Sequence, residues 1–304
     1  MIAAHATPSA AKVDADRYAV LGNPVAHSQS PFIHAAFALQ TGEALAYDRV
    51  LCSMDGFVAA VEAFAAAGGR GCNVTLPFKF EAGALAPRCS ERAALAGAAN
   101  VLRFGGPRGS RAGWSADNTD GIGLVRDIEH GAGVSIAGRR VLLIGAGGGA
   151  AGALGPLLQA RPQALWVVNR SADKAAALVA RHAPLARTCG VALDGGALGL
   201  AHSERLGRFD LLINASASSL HGVAVPVPSA RLAPGALALD LMYGPSTAAF
   251  VAWATAAGAV ARDGLGMLVE QAAEAFWFWR GVRPQTGPVL QALRARLDAD
   301  AARR

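Results

Sequence analysis

Charge is scarce in this 304-residue chain: Asp, Glu, Lys and Arg together make up 16% of it, against roughly a quarter in ordinary soluble domains. With 53% hydrophobic residues, that scarcity excludes disorder for all but a loose tail of the first 16 or so residues. Cysteine is scarce too. The four, at 52, 72, 89 and 189, include no CxxC or CxxH pair, so the common zinc and dithiol motifs are absent, no metal is expected, and reduced thiols in the cytoplasm are the reading. Acidic residues, 22 against 28 basic ones, leave a net charge of +6, which suits nucleic acid or a small anion. No basic run with interleaved aromatics occurs, so the small anion is preferred. The amino terminus lacks a basic segment leading into a Leu-rich run, which argues against a secretory signal. Two uncharged stretches, residues 141–160 and 241–261, have the length of a membrane span, but Gly clusters or Pro interrupt both, and neither is expected to cross a bilayer.

What is present is alternation. The length implies about two domains. In residues 17–120, short apolar runs such as Tyr18-Ala19-Val20-Leu21 and Tyr47 to Leu51 alternate with Ala-rich helical stretches, Pro31 to Gln40 and Phe57 to Ala67. A second series has strands at residues 140–144, 165–169, 210–214 and 236–240, which reads as a parallel, doubly wound sheet. A helix over residues 265–280 should stop before Gly281, with another from about Pro288.

The first strand of the second series runs into Gly145-Ala146-Gly147-Gly148-Gly149 and then an Ala/Leu helix. A pyrophosphate needs backbone amides at a helix amino terminus with no side chain in the way, and this order supplies them. The next strand ends in Asn169-Arg170-Ser171, with Lys174 one turn on, where an NAD site would carry an acid for the ribose diol. Two cations and a hydroxyl suit a 2′-phosphate instead, so NADP is the expected cofactor. Asp173 between them is read as a first-turn helix acid.

Lysine occurs only at 12, 79 and 174, against 25 arginines. Where arginine serves almost everywhere a cation is needed, a retained lysine is a candidate for proton transfer, because arginine cannot release a proton near neutral pH. Lys79 closes the segment Asn73-Val74-Thr75-Leu76-Pro77-Phe78-Lys79. Ser28-Gln29-Ser30-Pro31 reads as a serine cap followed by Pro, and its two hydroxyls beside free helix amides also suit a carboxylate. In Asp117-Asn118-Thr119-Asp120-Gly121, an Asp at a domain junction would face a cleft and could orient a lysine. Neither His27 nor His221 is assigned a proton-transfer role, and Phe276-Trp277-Phe278-Trp279 is read as packing.

Taken in order, these motifs, together with Gly22-Asn23-Pro24-Val25-Ala26-His27, Gly97-Ala98-Ala99-Asn100 and Asp263-Gly264-Leu265-Gly266-Met267-Leu268-Val269-Glu270-Gln271, resemble the shikimate dehydrogenase family from Gly22 to about Gly281. The resemblance implies two α/β domains: a substrate-binding domain over residues 1–117 and 265–304, and a Rossmann-like NADP-binding domain over residues 118–264. It implies reversible, NADPH-dependent reduction of 3-dehydroshikimate to shikimate on the way to chorismate and the aromatic amino acids, with Lys79 as acid/base and Asp117 as its partner. Ser28 and Ser30 match the carboxylate site, and Thr75, Asn100, Asp117, Tyr243 and Gln271 match other substrate contacts. Gly145, Ala146, Gly147, Gly148 and Gly149 match the phosphate loop, and Asn169, Arg170, Ser171 and Lys174 the adenosine phosphate clamp. Leu241 and Gly264 match the nicotinamide side, and Glu91 a further cofactor contact. The chain departs from the family's pattern at Ala150-Ala151 and at Asn214-Ala215-Ser216-Ala217. The alternatives are a quinate/shikimate dehydrogenase of broader substrate or NAD use, a non-catalytic NADP-binding regulator on the same fold, and, third, a basic nucleic-acid-binding protein. A homodimer is compatible with the resemblance.

Overall fold

A computed structural model describes residues 15–107, 109–202, 206–216, 218–221 and 227–303. The amino-terminal tail with Lys12, and Ala217, lie outside the described residues. Two six-stranded sheets organise the chain. The first holds β1 (Asp16–Gly22), β2 (Leu45–Leu51), β3 (Gly69–Val74), β4 (Arg88–Cys89), β5 (Val101–Arg103) and β6 (Ser115–Asp117) in the order β2-β1-β3-β5-β6-β4. β1, β2 and β3 run parallel, whereas β5 is antiparallel to both β3 and β6. The helices α1 (Ser30–Thr41), α2 (Phe57–Ala66), α3 (Lys79–Gly83) and α4 (Glu91–Ala96) connect its strands. The expected serine cap differs in detail: α1 starts at Ser30 with Gln29 in the cap position, and the Ser28 hydroxyl accepts the Ser30 amide at 3.3 Å.

The second sheet is parallel throughout. It holds β7 (Arg140–Ile144), β8 (Ala164–Asn169), β9 (Ala192–Ala197), β10 (Phe209–Asn214), β11 (Leu232–Asp240) and β12 (Val260–Arg262) in the order β12-β11-β10-β7-β8-β9. The four expected strands are present. β9 and β12 are additional, one rich in Ala and Gly and the other three residues long, so neither carries an apolar run. The strand order reverses between β7 and β10, the point at which an open α/β sheet forms its ligand crevice. Buried β7 and β10 side chains such as Val141, Leu143, Leu211 and Ile213 meet Leu154 and Leu157 of α6 (Gly148–Gln159) in one core. Residues 141–160 are thus a strand, a glycine turn and a helix, and no described helix is long and apolar enough to cross a membrane.

Between the sheets, α5 (Asp120–Arg126) packs on both α6 and α9 (Leu265–Arg280). A Cβ at Gly121 would stand 2.3 Å from the Gly152 carbonyl oxygen, so α5 and α6 approach at backbone distance. After α7 (Ala172–Cys189) and α8 (Ala248–Ala256), α9 returns to the first sheet and packs with α1 and α10 (Thr286–Ala302) around Ile33, Phe37, Phe276 and Leu293. Gly281, with φ +73°, ends α9 as expected, and α10 starts at Thr286, slightly before Pro288.

Candidate active site

Lys79 is the first residue of α3, and its ammonium lies in the space between the two sheets. Its Nζ donates to Asp120 Oδ2 at 2.7 Å, with the two side chains 13% and 5% exposed. Asp120, the first residue of α5, holds its other carboxylate oxygen 2.9 Å from Asn100 Nδ2. Asn100 Nδ2 also points at Gln271 Oε1 (3.0 Å) and Thr119 Oγ1 (2.9 Å), and its Oδ1 accepts the Thr119 amide at 2.7 Å. Gln271 in turn donates to the Leu268 carbonyl at 2.8 Å. Elements distant in sequence, α3, the turn into β5, α5 and α9, thus bring Lys79, Asn100, Asp120 and Gln271 into one hydrogen-bonded cluster.

The structure corrects the partner expected for Lys79. Asp117, at the end of β6, is held by the Ser90 hydroxyl, by Arg92 Nε at 2.7 Å and by the Asn118 amide at 2.7 Å, which leaves it no bond to Lys79. Arg92 continues to Glu274 (3.1 Å), which also receives Arg126 (2.8 Å) and Arg283 (2.6 Å). Burial pushes the Glu274 carboxyl up, but Arg283 and Arg126 outweigh it and hold the group below the usual carboxylate range. Asp117 therefore belongs to a buried ion network, and Asp120 is the carboxylate of the lysine site. Both acids stand in the same five-residue motif. In the fold Asp120 opens α5 directly after Thr119, whereas Asp117 closes β6, where Arg92 claims it.

Sequence reasoning also missed Asn73 and Tyr47. The buried Asn73 accepts the Tyr47 hydroxyl at 2.6 Å and donates to the Asn100 carbonyl at 3.2 Å, so it extends the cluster toward α1. There Ser28 Oγ lies 3.1 Å from Ser30 Oγ. Tyr243, on the loop after β11, packs against the α1–α9 core. Burial raises its phenol above the ordinary value, opposed by the Gln29 backbone and by Arg49. Thr75 flanks the same side, with its methyl against Gly22. The two serines and Tyr243 thus gather near α1.

The glycine loop closes the opposite side. Gly145 adopts φ +114°, a conformation that L side chains rarely take, and its α-carbon faces the Ala215 backbone. A Cβ on Gly148 would stand 2.9 Å from Lys79 Cβ, so the loop touches the lysine stem. Nothing lies within 4 Å of a Cβ position on Gly147, and Ala146 is only partly buried, so the loop at the start of α6 is open to a ligand. Leu241 lies 3.5 Å from the Cβ position of Gly149, and the buried Gly264 backs onto the Leu241 carbonyl. Asn169, Arg170, Ser171 and Lys174 follow β8. Asn169 Nδ2 donates to the Ser171 carbonyl at 3.0 Å, while Arg170, Ser171 and Lys174 are exposed. An open glycine cradle followed one strand later by free cations fits a dinucleotide bearing an extra phosphate. Glu91 stands exposed on the first turn of α4 and is bonded to none of these residues. At the departure from the family pattern, Asn214 Oδ1 accepts the Ser216 hydroxyl at 2.7 Å, and Asn214 Nδ2 reaches the buried Asp240 at 2.9 Å.

Fold and site together define a two-lobed, dinucleotide-dependent dehydrogenase with a lysine–carboxylate pair between the lobes. Family models match the chain over residues 20–102 (shikimate dehydrogenase substrate-binding domain), 128–221 (shikimate/quinate 5-dehydrogenase) and 264–294 (shikimate 5′-dehydrogenase C-terminal domain). The shikimate dehydrogenase (NADP(+)) of Methylibium petroleiphilum is 59% identical over 286 residues, 92% of this chain and 94% of that one. Among solved structures, a shikimate dehydrogenase in complex with NADP+ aligns at 27% identity and a TM-score of 0.79, over 93% of this chain and 96% of that one. The shikimate 5-dehydrogenase of Thermus thermophilus in complex with shikimate aligns at 30% identity and 0.76, over 93% and 99%. The chain belongs to the shikimate dehydrogenase family.

Proposed function

We propose that this protein is an NADP-dependent shikimate dehydrogenase that reversibly reduces 3-dehydroshikimate to shikimate, a step toward chorismate and the aromatic amino acids. The observation that carries the reading is Lys79, whose ammonium lies 2.7 Å from Asp120 and whose aliphatic stem lies against the glycine loop at Gly148. When bound, the reduced nicotinamide supplies the hydride. The carbonyl oxygen then needs a proton and nearby positive charge, and Lys79 Nζ offers both. Asp120 holds that ammonium in place, and in the reverse direction Lys79 accepts the proton back. Asn100 and Gln271 fix the ring hydroxyls with Thr75, while Ser28, Ser30 and Tyr243 hold the carboxylate. Orientation of this kind supplies much of the acceleration in a two-reactant step.

Gly145 to Gly149 would carry the pyrophosphate, and Arg170, Ser171 and Lys174 the 2′-phosphate beside Asn169. Leu241 and Gly264 would back the nicotinamide, and Glu91 is kept as an outlying cofactor contact. In this reading residues 1–117 and 265–304 form the substrate domain and residues 118–264 the cofactor domain. The enzyme works in the cytoplasm, and a homodimer is the assembly to look for by sedimentation. The test is steady-state kinetics of the purified protein with 3-dehydroshikimate and NADPH, and with shikimate or quinate and either oxidised cofactor. Turnover of shikimate with NADP+ well above the other three combinations is expected. Equal turnover of quinate, or preference for NAD+, would replace the reading by the broader dehydrogenase, and no turnover at all would leave a cofactor-binding regulator.

A further inference from the structure

Arg49, on the edge strand β2, takes no part in the lysine site or the glycine loop. Its Nε and Nη2 both donate to the Ser28 carbonyl oxygen, at 2.9 and 2.6 Å. Among the described residues it makes no ion pair, unlike the arginines of the Glu274 network. Two of its five N–H donors serve the Ser28 carbonyl, which leaves three, and a positive charge, on an exposed guanidinium anchored to the main chain of the residue whose hydroxyl pairs with Ser30. The Tyr243 phenol lies within the electrostatic reach of the same guanidinium.

Hydroxyls alone are a weak selector for an anion. A hydroxyl carries no charge, so two serines and a tyrosine separate a carboxylate from an ester or an amide less sharply than a cation does. A carboxylate that gives up its water needs a compensating positive charge, and a charge-assisted site recovers that cost only for the ionised group. We propose that Arg49 is the counter-charge that makes this enzyme selective for a carboxylate-bearing substrate, acting as a positioning residue through the Ser28 carbonyl and through its own charge. The proposal rests on the reading of Ser28 and Ser30 as the carboxylate site.

The experiment compares shikimate with its methyl ester, the ester by turnover or by its inhibition constant against shikimate, for the wild type, Arg49→Gln, Arg49→Lys and Ser30→Ala. Arg49→Gln is expected to raise KM for shikimate about tenfold with kcat within about twofold, and to leave the ester constant within about twofold. Arg49→Lys, which restores charge without the two-pronged grip, should recover most of the preference for the acid. In the wild type, added salt should weaken shikimate more than the ester. Loss of acid and ester in equal measure would show that Arg49 only props the loop and would overturn the proposal, as would an unchanged preference for the acid in Arg49→Gln. Ser30→Ala reports separately: it should weaken shikimate and the ester alike, and if it leaves both constants at their wild-type values, the serine reading fails whatever Arg49 does.

Discussion

The carboxylate of Asp120 lies 2.7 Å from the ammonium of Lys79, and the two join the first turn of α3 in one lobe to the first turn of α5, which packs against both lobes. The pair is nearly closed to solvent, yet Asp120 is also held by Asn100, so the carboxylate cannot swing away when the lysine releases its proton. Three residues earlier, Asp117 gives its oxygens to Ser90 and Arg92. Two acids of one motif thus do different work.

The two roles separate by mutation. Asp120→Asn is expected to lower kcat of the folded protein about a hundredfold and, because it leaves the Lys79 ammonium without its carboxylate in a buried setting, to lower the melting temperature as well. Asp117→Asn should leave Arg92 without its carboxylate partner in a buried setting, cost about 3 kcal/mol of stability, and leave kcat of the folded protein within a few-fold. Thermal melts beside steady-state kinetics on both variants check this, and a large kcat loss in Asp117→Asn at unchanged stability would return Asp117 to the reacting centre.

Gly148 should be as sensitive as the lysine itself. A methyl group there would stand 2.9 Å from Lys79 Cβ and 3.3 Å from its Cδ, so either the stem or the loop must move. Gly148→Ala is expected to lower kcat at least about tenfold, because a small displacement of a reacting group is costly. Gly147→Ala, whose Cβ would meet no protein atom within 4 Å, should keep kcat and raise only KM for the cofactor. Kinetics with saturating NADPH and with saturating substrate separate the two effects.

Much of this site can be read from local patterns, and the remainder depends on contacts between distant segments. The β7–glycine loop–α6 unit is legible because its signal is consecutive: an apolar run, glycines, then an Ala/Leu helix. The end of α9 at Gly281 is legible for the same reason. The choice between Asp117 and Asp120 is not local. It is made by Arg92, 25 residues away, whose guanidinium claims Asp117. β9 and β12 have no such local signal, since parallel neighbours across the sheet stabilise the Ala/Gly-rich and three-residue segments that form them. Asn73 stands in the motif that ends at Lys79, but its importance shows only when Tyr47, from another strand, meets its side chain.

His34 gives the fold an acid-sensitive point. It is fully buried, stacked on Tyr47 with ring centroids 4.3 Å apart, and among the described residues neither ring nitrogen has a partner at hydrogen-bond geometry. Burial lowers its pKa from 6.5 to about 3. Between those values the unfolded chain binds a proton that the folded protein does not, so the contribution of His34 is complete above pH 6.5 and is lost as the pH falls toward 3. Between about pH 7 and pH 5 the wild type should lose about 2 kcal/mol more than His34→Phe. Denaturant melts of both proteins at the two pH values measure the difference, and equal losses would mean that the ring accepts its proton without unfolding.

Discrimination between the two nicotinamide cofactors should reside at the end of β8. Arg170 and Lys174 are exposed, and Asn169 bonds to the Ser171 carbonyl and so fixes the turn into α7 that carries both cations. Only NADPH has a 2′-phosphate, and a planar guanidinium can meet two of its oxygens at once, whereas a lysine offers a point charge. Arg170→Ala is therefore expected to raise KM for NADPH about tenfold or more and to leave KM for NADH within about twofold, with a smaller effect of the same sign for Lys174→Ala. Asp173 stands exposed between them and would repel a phosphate held there, so Asp173→Ala should shift the preference further toward NADPH. Equal losses with both cofactors in Arg170→Ala would place the phosphate contact elsewhere on the lobe, and the ratio of the two KM values, more than either alone, is the quantity that decides.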